Sequence, residues 1–89
     1  MKYVLSYEPK GGVADKAREL FAEHCEKWSE FQAAGTLLMV GPFSDGSGAM
    51  GVFTTREAAE EFAKTDPFVL NGVVDEWSVR EWREAIFRP

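Results

Sequence analysis

One histidine, His24, and one cysteine, Cys25, stand side by side in this 89-residue chain. An imidazole exchanges protons near neutral pH, which makes His24 the first candidate for acid–base chemistry. At about 100° per residue, Ala17, Leu20, Phe21, Trp28 and Phe31 fall within roughly 60° of His24 around a helix. Arg18, Glu26, Ser29 and Ala33 take the opposite side. His24 therefore lies on the apolar stripe. If buried there, it must be hydrogen-bonded. Two readings follow: a satisfied core residue, or a group lining a pocket. Cys25 stands about 100° away at the edge of the stripe, where a half-buried structural thiol is the simpler reading.

Asp66 is the acid to set beside His24. It follows a second helical segment, at the negative end of that helix's dipole, where a carboxylate is disfavoured. An Asp-Pro turn explains it structurally. Functionally, it would orient His24 or act next to it. Trp28, one turn after His24, is either core or the floor of a pocket for a planar ligand. Phe68 and Ser44 are further candidates for touching a substrate, although Ser44 and Ser47 also read as ordinary turn residues. Arg56 is a solvated first-turn residue or a contact for a substrate anion. Neighbouring His and Cys on one helix cannot hold a metal. The segment Gly41-Pro42-Phe43-Ser44-Asp45-Gly46-Ser47-Gly48 is a hairpin turn and not a phosphate loop. No cofactor or metal is expected.

Six elements position these residues. Lys2–Tyr7 alternates and reads as a strand. Gly11-Gly12 open a loop, and Asp15 suits the start of a helix. Glu23 and Lys27 are spaced for an i,i+4 pair, and Gly35 for a left-handed cap. Thr36–Phe43 is a second strand. Its Leu37-Leu38-Met39-Val40 run is apolar on both faces, and Pro42 places it at an edge or at its own end. Ala49–Thr54 returns as a third strand. Thr54 and Glu57 have capping-box spacing for a helix that runs through Lys64. Ala58, Ala59, Phe62 and Ala63 face inward on it. Phe68–Gly72 reads as a loop. Val73–Trp82 is the last strand, with Val73, Trp77 and Val79 on one face and Val74 and Trp82 on the other. Arg83–Pro89 has no clear preference.

The order β-α-β-β-α-β predicts an α+β, ferredoxin-like sandwich, a four-stranded antiparallel sheet with two helices on one face. The chain is expected to form a single domain over residues 1–89. Its other sheet face would collect apolar residues from the Leu37–Val40 run, one side of the Tyr3-Leu5-Tyr7 strand and the last strand. A homodimer with sheets face to face would cover it. Seven Phe, three Trp and two Tyr are many aromatics for this length and agree with a second apolar surface. A net charge of −5 without a basic run argues against nucleic acid and anionic membranes as partners. A single cysteine, no apolar run of spanning length and no signal-like segment lead us to expect a cytoplasmic protein.

The helix-borne His24, then Gly35-Thr36-Leu37-Leu38-Met39-Val40-Gly41-Pro42-Phe43, then Asp66-Pro67-Phe68, then Trp77-Ser78-Val79-Arg80-Glu81-Trp82, together resemble the YciI-like (YCII-related) family over nearly the whole chain. The resemblance implies a ferredoxin-like protomer in a dimeric α/β barrel. It also implies a pocket with a His and an Asp, here His24 and Asp66. One branch of the family resembles a cofactor-free dehydrochlorinase of hydroxylated chloroaromatics. The expected function is a small cofactor-independent enzyme whose His/Asp pair acts on a small aromatic or lactone-like substrate, in a lyase- or isomerase-type reaction. The alternative is a non-catalytic small-molecule-binding or interaction module using the same pocket.

Overall fold

The computed structural model describes residues 1–86 and 88. In chain order they form β1 (Lys2–Pro9), α1 (Ala14–Ala33), β2 (Leu37–Pro42), β3 (Ala49–Phe53), α2 (Arg56–Thr65), α3 (Pro67–Leu70) and β4 (Val74–Trp82). The strands make one antiparallel sheet in the order β2-β3-β1-β4. This is the ferredoxin-like arrangement, with the helices on one side. Strand β2 is an edge strand and Pro42 is its last residue, so the missing N–H costs the ladder nothing.

Leu5 and Tyr7 of β1, Leu37 of β2, Phe53 of β3 and Val74 of β4 meet Ala59, Phe62 and Ala63 of α2 in the core. Small alanines let α2 lie close to the sheet, while Phe62 fills the space between its turns. Helix α1 is different: none of its 20 residues is fully buried. Its stripe of Trp28 and Phe31 packs on the core only in part. The reason is a cavity beneath it, described below.

The local signals acted at shifted positions in several places. Thr55, not Thr54, caps α2: its side chain accepts from the Ala58 N–H at 3.1 Å. Lys27 pairs with Glu30 at 3.4 Å, so the expected Glu23 partner is replaced by a residue in the following turn. Phe68–Gly72 is not simply a loop, because Pro67–Leu70 forms a short helix with proline in its first turn, where no N–H is needed. In β2 the pairing passes from Leu37↔Phe53 to Met39↔Val52, leaving Leu38 as an extra residue. That bulge explains an apolar run without alternation. A second irregularity sets Pro9 opposite Val74. It turns Val74 into the core with Trp77 and Val79, and not to the opposite face. Of the tail, Phe87 and Pro89 lie outside the described residues. Glu84 binds the Met1 amino group at 3.0 Å and Lys2 at 2.9 Å, and these partners lower its carboxyl to about 2.

Two glycines show how the backbone is steered. Helix α1 ends with the Gly35 N–H donating to the Gln32 carbonyl and the Thr36 N–H to the Phe31 carbonyl, with Gly35 at φ 80°. Gly48, at φ 146°, closes the β2–β3 hairpin directly against the Tyr7 carbonyl oxygen. A Cβ at Gly35 meets nothing within 4 Å, so Gly35→Ala should cost only the left-handed backbone term, about 1–2 kcal/mol. Gly48→Ala adds a steric overlap with β1 and should lower the urea midpoint further than Gly35→Ala. Equal midpoints would mean that the hairpin moves aside freely.

Candidate active site

The Asp66-Pro67-Phe68 segment builds one side of the site. A residue before proline is driven to extended backbone, and Asp66 adopts φ −69°, ψ 126°. This stops α2 and aims the Asp66 side chain back over the start of α3, where it accepts the Phe68 N–H at 3.1 Å on Oδ1. This conformation is the Asp-Pro turn expected from sequence. Its own N–H donates to the Phe62 carbonyl at 2.9 Å.

From α1, His24 brings Nδ1 to 2.8 Å from Oδ1 and 3.0 Å from Oδ2. From β1, the Tyr7 hydroxyl donates to Oδ2 at 2.7 Å. Asp66 is fully buried, 0% exposed, and every lone-pair direction it uses faces a donor. Both of its oxygens already accept from Tyr7 and Phe68, so the imidazole contributes the Nδ1–H proton. This tautomer leaves Nε2 unprotonated in the neutral ring and available to a ligand. Phe68 lies flat on the imidazole, centroids 3.9 Å apart and planes 4° apart, while Phe62 meets it edge-on at 6.3 Å. The ring is therefore fixed both in its plane and in its tilt.

His24 lines a cavity of about 420 Å³ between α1 and the sheet. Phe21, Trp28 and Gln32 extend the same helical stripe along it, and Leu5, Tyr7, Phe53, Phe62, Phe68 and the whole of β2 complete the walls. Helix α1 lacks fully buried residues because this space lies where its stripe would otherwise meet the strands. Among the described residues the walls carry no Lys, Arg, Asp or Glu. Asp66 does not line the cavity, so a ligand meets it only through the side chains in front of it, His24 and Tyr7.

Of the residues singled out from sequence, His24, Asp66, Trp28 and Phe68 converge. Ser44 does not: it sits exposed in the turn between β2 and β3, away from the cavity walls. Arg56 is fastened elsewhere, donating to the Val79 carbonyl at 3.2 Å and lying over the Tyr3 ring at 5.4 Å. Cys25 is half-buried and outside the cavity wall. Tyr7 was not foreseen. A signal for it existed, since a tyrosine on the core face of a strand needs a partner for its hydroxyl as much as a striped histidine does. Among the described residues no group of three or more His, Cys, Asp or Glu could hold a metal ion. No helix among them is long and apolar enough to cross a membrane.

The fold and the site define a small ferredoxin-like domain with a buried carboxylate behind a cavity-facing imidazole. The chain belongs to the YCII-related domain family, whose model matches residues 1–83. The YjpA protein of Bacillus subtilis (strain 168) is 37% identical over 68 residues, covering 74% of this chain and 79% of YjpA. A 5-chloro-2-hydroxyhydroquinone dehydrochlorinase from Burkholderia phenoliruptrix AC1100, solved with 2,5-dihydroxybenzoquinone, superposes with a TM-score of 0.79 at 17% identity, over 96% of each chain. Protein Atu4242 from Agrobacterium tumefaciens gives a TM-score of 0.60 at 15% identity, over 100% of this chain and 98% of that one. These structures share the fold.

Burial, then the Asp66 charge and its hydrogen bond, push the Tyr7 phenol well above its ordinary 10.0. Below that value folded and unfolded chains both keep the proton, and the Tyr7 contribution to stability is complete. Above it the unfolded chain releases a proton that the folded chain retains, so stability falls as pH rises. Urea midpoints measured between about pH 9 and 11 should fall with pH, and less steeply in Tyr7→Phe. Parallel slopes would show that the phenol ionises freely in the folded chain.

Proposed function

We propose that this protein is a small cofactor-independent enzyme in which His24 Nε2 moves a proton on a small, largely apolar substrate, aromatic or lactone-like, in a lyase- or isomerase-type reaction. The observation that carries this reading is the pairing of His24 Nδ1 with the buried Asp66 carboxylate at 2.8 Å, with the same ring lining a largely apolar cavity. Such an imidazole is oriented for proton transfer, and its charged form is stabilised as it forms. Asp66 then orients and balances charge without touching substrate. A wall without Lys or Arg favours ligands that are neutral overall. Trp28 and Phe68 supply aromatic surface for a planar ring. The ligand named with the dehydrochlorinase is such a ring, and elimination of H–Cl from a chlorinated hydroxyhydroquinone is chemistry that one base can begin by taking a hydroxyl proton.

A second copy of the chain is part of this proposal. The sheet face away from the helices carries Val4, Met50, Val52 and Met39, with Ser6, Ser78 and Arg80 among them. Trp82 and Met39 are 46% and 59% exposed. Sheet-to-sheet pairing would remove these two exposed side chains from water, around Val52, which is already buried. Sedimentation across a dilution series should give about twice the 10.0 kDa chain mass. A well-folded monomer at micromolar concentration would refute the pairing.

The catalytic reading is tested with 5-chloro-2-hydroxyhydroquinone and chloride release. His24→Asn should keep the fold and lose about 10²-fold or more of turnover. Asp66→Asn should also lose turnover, with the double variant little worse than the poorer single one. Unchanged turnover in His24→Asn removes the histidine from the chemistry. Binding of 2,5-dihydroxybenzoquinone without any turnover of the chlorinated compound supports the non-catalytic binding module instead.

A further inference from the structure

We propose that Tyr7 is the positioning residue that sets the plane of the Asp66 carboxylate, and through it the direction of the His24 Nδ1–H bond. The proposal deepens the acid–base reading above and rests on it only for its catalytic consequence. Rotation about the bond to a carboxylate group is soft, with broad rather than sharply staggered preferences. The Phe68 N–H holds one oxygen, Oδ1, at 3.1 Å, and a carboxylate pinned at one oxygen still swings the other. Tyr7 holds that other oxygen, Oδ2, at 2.7 Å. Only with both oxygens held can the carboxylate present them together to Nδ1, at 2.8 and 3.0 Å.

The imidazole cannot adjust to a swinging carboxylate, because Phe68 stacks flat against it. The plane must therefore be set on the acid's side. Phe68 belongs to the same short segment as Asp66. Tyr7 comes from β1, between β3 and β4 in the sheet, 59 residues away in sequence. It is thus the group that ties the site to a strand paired on both sides. Its ring also lines the cavity, but its hydroxyl is committed to Asp66. Burial makes the phenol hold its proton more firmly than usual, which suits a permanent donor and not a proton shuttle. Tyr7 consequently acts through Asp66 and does not itself react.

The test is Tyr7→Phe, which keeps the ring and removes the hydroxyl. Because the chain has one histidine, a 15N-histidine-labelled sample reports on His24 alone. In the wild type the Nδ1–H proton should give a downfield resonance protected from exchange with water, and Asp66→Asn should abolish it. In Tyr7→Phe the resonance should move and its exchange with water should quicken by about tenfold or more, the weight of one such hydrogen bond. A lowered melting temperature with an unmoved, equally protected resonance would reduce Tyr7 to packing and overturn the proposal. Should Tyr7→Phe fail to fold, 3-fluorotyrosine can be incorporated into a Tyr3→Phe chain, where Tyr7 is the one tyrosine left. The stronger donor must then shift the His24 resonance, and no shift overturns the proposal. The resonance is read without substrate. A protein that turns nothing over but shows these changes would lose its proposed reaction and keep its positioning residue.

Discussion

A carboxylate with no exposure to water is the constraint on which the rest of this molecule depends. Removing one partner from a buried charge leaves a penalty of several kcal/mol, so Asp66 can exist only where donors already wait for it. The fold brings those donors from three places: a strand hydroxyl, a helix imidazole and a backbone N–H two residues on. None of the three is close enough in sequence to the other two to be assembled by local structure alone, apart from the Asp-Pro-Phe turn. The contact therefore fixes α1 and α3 against β1 together, and an error in any one of them is felt by the same carboxylate.

The cavity is the other half of this arrangement. A 20-residue helix with a continuous apolar stripe would ordinarily bury that stripe on the sheet. Here α1 stands off, and Trp28 and Phe31 are only partly covered. What holds the helix in place is its packing on α3, where His24 stacks on Phe68, its contacts with α2 and β2, and the polar tie from His24 to Asp66. Packing is thus looser around the cavity than on the α2 side of the core, where Ala59 and Ala63 are fully buried. Sites that must admit a ligand are often drawn from the less tightly packed part of a fold.

Family membership and geometry agree without depending on one another. The histidine stripe, the glycine-led hairpin and the Asp-Pro-Phe turn each have a structural explanation in this chain: the ring that meets the acid, the strand that walls the cavity, and the turn that aims the carboxylate. The similarity to the dehydrochlorinase is a similarity of fold, and the chemistry proposed for this chain rests on what its own residues present to the cavity. The most direct of these is a single imidazole with one nitrogen engaged and one available.

What the sequence by itself determined was whatever depends on neighbours along the chain. The four strands, the two longer helices, the edge position of β2 and the left-handed Gly35 follow from periodicity, proline and glycine. The stripe placed His24 inward, and Pro67 stopped α2 at Asp66. Boundaries shifted where two equivalent residues stood side by side, as with Thr54 and Thr55 at the α2 cap. Faces shifted where a bulge inserted an extra residue, as at Leu38, or turned Val74 into the core. Only the tertiary structure decided that His24 and Asp66, 42 residues apart, share a hydrogen bond, that Tyr7 completes it, and that Ser44 stays outside. Periodicity assigns a residue to a face but not to a position across the gap between layers. That position is decided when the helices and the sheet pack together, and here the packing brings three donors to one buried carboxylate.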